Sequence, residues 1–259
     1  MPKRFGVLLA GGKGERLRPT TLAVNKHLLP VYDKPMLHYA LSTLMLTGVR
    51  EVAIVVRPRD RHRMARLYGD GSPLGMRIDY VPQAEPRGIV DGMLAARSFI
   101  DDRPSVLVLG DNFFFGHGLQ GQLAQADDRS SGATILTYRV KDPRAYGVLE
   151  IDADGNPIAV EEKPLEPQSD LAITGLYFFD PQVLQFAAEL TPSLRGELEV
   201  TGLLQRYLQV GQLHQLPLGR GSFWLDMGTE SRLLQAANFV QSLQARQGWR
   251  ICCPEEVAF

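Results

Sequence analysis

Short apolar runs recur through the first half of this chain, at residues 5–9, 52–56, 78–81 and 106–109. Strands without a polar face must be covered on both sides, as they are in a parallel sheet wrapped by helices. The intervening segments, residues 36–47, 60–68, 88–98 and 119–127, carry apolar residues at helical spacing, and Gly48 stands where a helix end is closed. This alternation predicts an α/β fold with a Rossmann-like, mostly parallel central sheet and helices on both faces. Ligands of such sheets bind beyond the carboxyl ends of the strands, so the loops there are where chemistry is expected.

The second half reads differently. Residues 134–140, 148–151, 157–162 and 173–179 have strand character, and Asp154-Gly155 is a hairpin signal. Asp180-Pro181 looks like a helix start, with Asp as N-cap and Pro in the first position. A helix is expected over 198–209, then strands over 212–218 and 222–225, then a long helix over 229–245 with Thr229 as its N-cap. No repeat or low-complexity linker interrupts the chain. One domain over 1–259 is expected, with parts at about 1–130, 131–228 and 229–259.

Composition excludes several classes. The chain has 259 residues, 44% of them apolar, and a net charge of −1. That balance gives no support to nucleic-acid or membrane-surface binding. No run approaches the roughly 18 apolar residues of a membrane span, and the N-terminus lacks a signal-peptide pattern. The neighbours Cys252 and Cys253 have no partners for a zinc site and read as reduced thiols of a cytoplasmic protein.

The loop after the first strand carries the first chemical signal. In Leu9-Ala10-Gly11-Gly12-Lys13-Gly14-Glu15-Arg16, three glycines expose backbone N–H groups, and Arg16 adds a planar donor fork suited to phosphate. A P-loop would need Lys-Ser/Thr after Gly14, and a dinucleotide fingerprint would need Gly where Leu17 stands, so both fail. Arg18-Pro19 resists a helix start. The loop is therefore either a triphosphate cradle or a plain strand-to-loop turn.

Other residues gain meaning by position. Lys26 is either a solvated lysine or a second phosphate ligand. Asp111, just past a buried strand, is either a turn cap or a magnesium ligand. Asp226, at another strand end, would complete a two-carboxylate Mg²⁺ site. Glu162 and Lys163 at the hairpin end, and Arg195 before a helix, are either surface charges or ligands of a sugar phosphate. His117 has no catalytic partner at a useful spacing, and no nucleophile elbow or H-E-x-x-H is present, so covalent catalysis is unsupported.

In their order and spacing these segments resemble the nucleotide-sugar pyrophosphorylases. The likeness runs from about Phe5 to Ala258. It is carried by the glycine loop, Lys26-His27-Leu28-Leu29-Pro30, Gln83-Ala84-Glu85-Pro86-Arg87-Gly88, Gly110-Asp111-Asn112, Tyr146-Gly147-Val148, Glu161-Glu162-Lys163-Pro164, Arg195-Gly196-Glu197 and Trp224-Leu225-Asp226. The resemblance is to members that act on dTTP and glucose 1-phosphate. It implies formation of dTDP-glucose and pyrophosphate, an opening step of deoxysugar synthesis, and a nucleotide-binding half followed by a sugar-binding, β-rich portion.

The resemblance also implies roles. Arg16, Lys26 and Lys163 would be catalytic. Leu9, Gly11, Gly12 and Gly14 would hold the nucleotide, with Gln83 and Gly88 at the base edge. Gly147, Glu162, Lys163, Arg195, Thr201 and Trp224 would form the sugar phosphate pocket, and Asp111 and Asp226 would bind Mg²⁺. A homotetramer is implied, as is feedback by a dTDP-sugar near Gly116, His117, Arg220 and Gly221.

Four departures from the family pattern stand out. Glu15 puts a negative charge in the cradle, unfavourable unless it points away. His27 is expected to make phosphate binding depend on pH near 6.5. Met227 removes a hydroxyl expected beside the metal. The chain ends at Phe259, where relatives continue, which bears on the regulatory pocket. The alternatives are another nucleoside triphosphate such as UTP, another sugar 1-phosphate, or a non-catalytic nucleotide-sugar sensor. Leu17 disfavours a dehydrogenase.

Overall fold

The computed structural model describes residues 4–193 and 195–258. Seven strands fall in the first half: β1 (Phe5–Leu9), β2 (Pro30–Val31), β3 (Lys34–Pro35), β4 (Glu51–Val56), β5 (Arg77–Pro82), β6 (Ser105–Leu109) and β7 (Asn112–Phe115). Six follow: β8 (Ala133–Arg139), β9 (Gly147–Ile151), β10 (Pro157–Glu162), β11 (Leu171–Phe179), β12 (Leu213–Pro217) and β13 (Phe223–Asp226). A nine-stranded sheet runs in the order β10-β9-β11-β6-β1-β4-β5, with β8 also on β11 and β12 on β8.

The quartet β6-β1-β4-β5 is parallel. Strand β11 then joins β6 antiparallel and also pairs with β8 and β9. The β-rich portion expected after residue 130 is thus an antiparallel extension of the same sheet.

The apolar runs of β1, β4 and β6 are explained by burial on both faces, whereas β5 is an edge strand with Arg77 exposed and Asp79 and Tyr80 half-buried. On β1, Leu8 faces a core with Leu37, Leu41 and Leu44 of helix Met36–Leu46. Phe5 and Val7 face the opposite core, with Val90 and Met93 of helix Ile89–Ala95 and Tyr207 of helix Val200–Gln209. A third core lies under helix Glu230–Gln247, where Ala236 and Val240 meet Phe113 and Met227. No helix among the described residues is long and apolar enough to cross a membrane.

Several local expectations change. The helix expected over 88–98 divides at Ala96, whose N–H reaches back to Met93 O at 3.0 Å. Asp180 caps no helix, because the next helix is Val183–Ala188. Its carboxylate instead accepts from the Gly132 N–H at 2.7 Å and the Tyr207 hydroxyl at 2.8 Å. Its Oδ1 also keeps a local bond, accepting from the Gln182 N–H at 3.1 Å, and the helix begins after Gln182 rather than after Asp180. Thr229 does cap the last long helix, accepting from the Arg232 N–H.

His38, on helix Met36–Leu46, packs against Tyr68 with the ring centroids 5.1 Å apart and Nδ1 2.9 Å from the hydroxyl. Burial pushes its pKa down to about 4. The folded protein keeps this ring neutral where the unfolded chain, titrating near 6.5, takes up a proton. Stability is therefore full above pH 6.5 and falls as pH drops toward 4, by about 2 kcal/mol at pH 5 from this group. Urea unfolding at pH 7.5 and pH 5 measures the drop. A His38→Gln variant, which keeps an acceptor for the Tyr68 hydroxyl, is expected to lose that share of it.

Candidate active site

The site is assembled by a short antiparallel ladder that links the two halves of the chain. Strands β7 and β13 pair with Asn112 opposite Asp226 and Phe115 opposite Phe223. Asp111 immediately precedes this ladder, and its carbonyl accepts the Met227 N–H at 2.8 Å. Two carboxylates from distant parts of the sequence are thereby brought side by side.

Asp111 is nearly buried, with Oδ1 accepting from Asn112 Nδ2 at 3.1 Å and Oδ2 bonded to Lys26 Nζ. Burial alone would raise its pKa, but the Lys26 ammonium outweighs that and holds the carboxyl well below the usual range. The Asn112 carboxamide is itself fixed. Its Oδ1 accepts from the Trp224 indole at 2.6 Å and from the Gly175 N–H at 3.1 Å. Gly175 lies where the pairing of β11 with β8 shifts register, between Ile173 and Tyr177. A Cβ there would come within 2.6 Å of the Asn112 carboxamide.

Asp226 has a different environment. Its Oδ2 accepts from Arg232 Nη1 at 2.9 Å and lies 3.9 Å from Arg16 Nη2. Its Oδ1 is buried with no hydrogen-bond partner. Burial and the neighbouring Asp111 charge raise its pKa. A buried, unpartnered carboxylate oxygen beside a second carboxylate suits a divalent cation. Among the described residues no group of three or more His, Cys, Asp or Glu side chains is arranged to hold a metal ion. Two carboxylates completed by water and phosphate oxygens are the donor set that magnesium prefers. Gly228 guards this corner, since a Cβ there would sit 2.5 Å from Arg16 Nη2 and 2.7 Å from Asp226 Oδ1.

The glycine loop folds over Lys26 and Gln83. A Cβ on Gly12 would lie 3.2 Å from Lys26 Cε, and one on Gly11 would lie 2.6 Å from Gln83 Oε1. Gly14 has φ +66 and packs on Lys26 and Thr21. Asn25 anchors the segment, accepting from the His27 N–H at 2.9 Å and donating to Asp60 at 2.9 Å. Glu15 borders the cleft, but its exposed carboxylate pairs with Arg18 at 3.4 Å, which offsets its charge.

His27 does not titrate near 6.5, as the sequence suggested. It is fully buried with Nδ1 2.9 Å from Asn25 Oδ1, and burial together with the Lys26 charge pushes its pKa down to about 3. Met227 likewise leaves no gap beside the carboxylates, because its side chain is buried in the core under helix Glu230–Gln247.

On the opposite wall, Lys163 follows β10 in a left-handed conformation, φ 47, with its N–H on Tyr146 O at 3.0 Å. Its Nζ lies 3.2 Å from Glu162, and Arg195 lies 3.8 Å from Glu162 and 3.6 Å from Glu199. Burial and the Glu162 charge raise the Glu199 pKa. Thr201 sits against Gly147, where a Cβ would come 3.0 Å from its methyl. Trp224 is buried, its indole N–H is spent on Asn112, and only its ring faces the cleft. A Cβ on Gly88 would strike the Leu198 backbone at 2.4 Å, so this position must be glycine to pack.

The nucleotide, sugar phosphate and metal candidates named from the sequence all line one cleft of about 760 Å³ between the glycine loop and the β-rich extension. The nucleotidyl transferase family profile matches residues 5–242. The chain belongs to the nucleotidyl transferase family.

Within that family the chain is 51% identical over all its 259 residues to the glucose-1-phosphate thymidylyltransferase of Xanthomonas campestris pv. campestris strain B100, covering 88% of that protein. It is 47% identical over 254 residues to the enzyme of that name from Neisseria gonorrhoeae, covering 98% of this chain and 88% of that one. Among solved structures, a candidate glucose-1-phosphate thymidylyltransferase from Bacillus anthracis, in complex with sucrose, superimposes with a TM-score of 0.84 at 33% identity. That match covers 91% of this chain and 94% of that one. A UDP-glucose pyrophosphorylase complexed with UDP-glucose shares the fold, with a TM-score of 0.80 at 20% identity, covering 93% and 99%.

For this family member the sequence missed three contributors: Arg232, Tyr146 beneath it, and Asp91. Arg232 stacks 5.1 Å over the Tyr146 ring while holding Asp226. Its signal was a cation in the first turn of a helix, against the dipole. The Gly116 and Gly221 segments touch at the far end of the β7–β13 ladder, where a Cβ on Gly116 would lie 2.9 Å from Ser222 Cα and 3.2 Å from Gly221 O. Cys252 and Cys253 are unbridged.

Substituting Gly175→Ala forces a methyl into a carboxamide held on three sides. We expect a stability loss of about 2 kcal/mol, read as a lower urea midpoint, with turnover reduced because Asn112 no longer orients Asp111.

Proposed function

We propose that this nucleotidyltransferase moves a thymidylyl group from dTTP to glucose 1-phosphate, giving dTDP-glucose and pyrophosphate. The observation that carries the reading is the array of Arg16, Lys26, Lys163 and Arg195 around Asp111 and Asp226 in one cleft. The choice of dTTP and glucose 1-phosphate is supported by the shared name of relatives about half identical over the whole chain.

The nucleophile is a phosphate oxygen of glucose 1-phosphate, which is already anionic, so no general base is needed. It attacks the α-phosphorus in line and pyrophosphate leaves, with no covalent intermediate on the protein. Both reactants are strongly negative, so the protein's work is neutralisation and alignment. The backbone of Gly11, Gly12 and Gly14, with Arg16, holds the triphosphate, and Lys26 takes the α-phosphate side. Lys163 and Arg195 take the sugar phosphate. Glu162, Gly147 and Thr201 meet the sugar, and the Trp224 ring supports it. Leu9, Gln83 and Gly88 hold the base. Asp111 and Asp226 would hold Mg²⁺, which supplies charge stabilisation for the phosphoryl oxygens.

The same reading includes a cytoplasmic homotetramer and a feedback pocket for a dTDP-sugar. That pocket would be built on Gly116, His117, Arg220 and Gly221, supported by the contact between their segments.

Pyrophosphate release across a panel of nucleoside triphosphates and sugar 1-phosphates, with and without Mg²⁺, tests the proposal. The highest rate is expected with dTTP, glucose 1-phosphate and Mg²⁺. An Asp226→Asn variant is expected to lose more than about 100-fold in turnover, the scale of removing a key electrostatic group. Near-normal turnover of that variant at saturating Mg²⁺ overturns the metal assignment. No release in any combination favours a nucleotide-sugar sensor.

A further inference from the structure

Gln83 follows β5 with its N–H on Val56 O at 2.8 Å, and its side chain is buried against the glycine loop. Its carboxamide has one possible orientation. Nε2 lies 2.7 Å from Asp91 Oδ2, and a carboxylate accepts hydrogen bonds without donating them, so the nitrogen must face Asp91. The other oxygen, Asp91 Oδ1, accepts from Arg87 at 3.3 Å. Asp91 occupies the first turn of helix Ile89–Ala95, where the helix dipole suits a carboxylate.

Oε1 is therefore turned the other way, into the cleft over Gly11. No donor among the described residues reaches it. The glycine at position 11 leaves this oxygen uncovered, since a Cβ there would lie 2.6 Å from it. The cleft thus presents a fixed acceptor that no protein group uses.

We propose that Asp91 is a positioning residue for base selection. By holding Nε2 it commits Gln83 Oε1 to meet a base whose ring nitrogen carries a hydrogen. Thymine and uracil have such an N3–H. Cytosine has an acceptor at N3, which would face Oε1 lone pair to lone pair. The inference rests on the preceding reading that Gln83 meets the base. An amide flip is neutral in shape, so packing alone would not choose between the two orientations. Only the chemistry of the partner at position 91 does so. The 5-methyl group lies outside this device, which separates thymine and uracil from cytosine and not from each other.

The test is Asp91→Asn, nearly isosteric with the parent. An asparagine both donates and accepts, so it holds Gln83 in either orientation. With wild-type enzyme, kcat/KM for dTTP over dCTP is expected to be at least about 100-fold. In D91N this ratio is expected to shrink by at least about tenfold. The dTTP to dUTP ratio should not move, because both bases carry N3–H. Asp91→Glu, which keeps an acceptor-only partner, should retain the wild-type ratio. Equilibrium binding of each nucleotide, measured without sugar phosphate, should show the same pattern.

An unmoved dTTP to dCTP ratio in D91N overturns the proposal, as does a dTTP to dUTP ratio that moves in parallel. Wild-type protein that turns over no dTTP rejects the function proposed above instead. The binding ratios then still judge Asp91 separately.

Discussion

The four-residue ladder between β7 and β13 is the constraint on which the site depends. It pairs Asn112 with Asp226 across 114 positions of sequence and sets Asp111 beside its partner carboxylate. Its other face is held by aromatic packing, with Phe223 stacked on Phe239 at 4.0 Å and Phe113 edge-on to both. Asn112 then ties the ladder to the main sheet through Gly175 and to Asp111 through its amide. A ladder this short would not persist alone; the helix packed over it supplies the buried area.

The cleft handles charge by pairing. Lys26 answers Asp111, Arg232 and Arg16 answer Asp226, and Lys163 and Arg195 answer Glu162 and Glu199. Buried charge without a partner is costly, which explains why each carboxylate lies within reach of a cation. Asp226 Oδ1, a buried carboxylate oxygen without a hydrogen-bond partner among the described residues, is where the charge arrangement is incomplete.

Much of this was legible because of what burial does to composition. Strands covered on both faces lose their polar residues, so β1, β4 and β6 stood out, and the loops after β1 and β6 held candidates. Glycine, lysine and aspartate at those ends converge on one cleft because the parallel sheet makes them neighbours. What was hidden depended on partners far away in sequence. Strand β7 is four residues long and pairs only with β13. Asp180 carried a local cap signal and does accept from the Gln182 N–H, but its bonds to Gly132 and Tyr207 could not be foreseen. His27 looked like a pH switch because its chemistry is written in the sequence while its burial is not. The unfavourable Glu15 found Arg18 three residues on, a pairing in plain view that the loop's phosphate reading obscured.

The pairing of Lys26 with Asp111 has a thermodynamic consequence. An anion that draws Lys26 away from Asp111 leaves that carboxylate in need of another positive partner. An anion bound in that way and a cation taken up by Asp111 would not be independent guests of the cleft. Each improves the terms for the other by the same factor, as linkage between two sites requires. Lys26 and Asp111 are in effect an internal salt, and replacing one of its ions favours replacing the other.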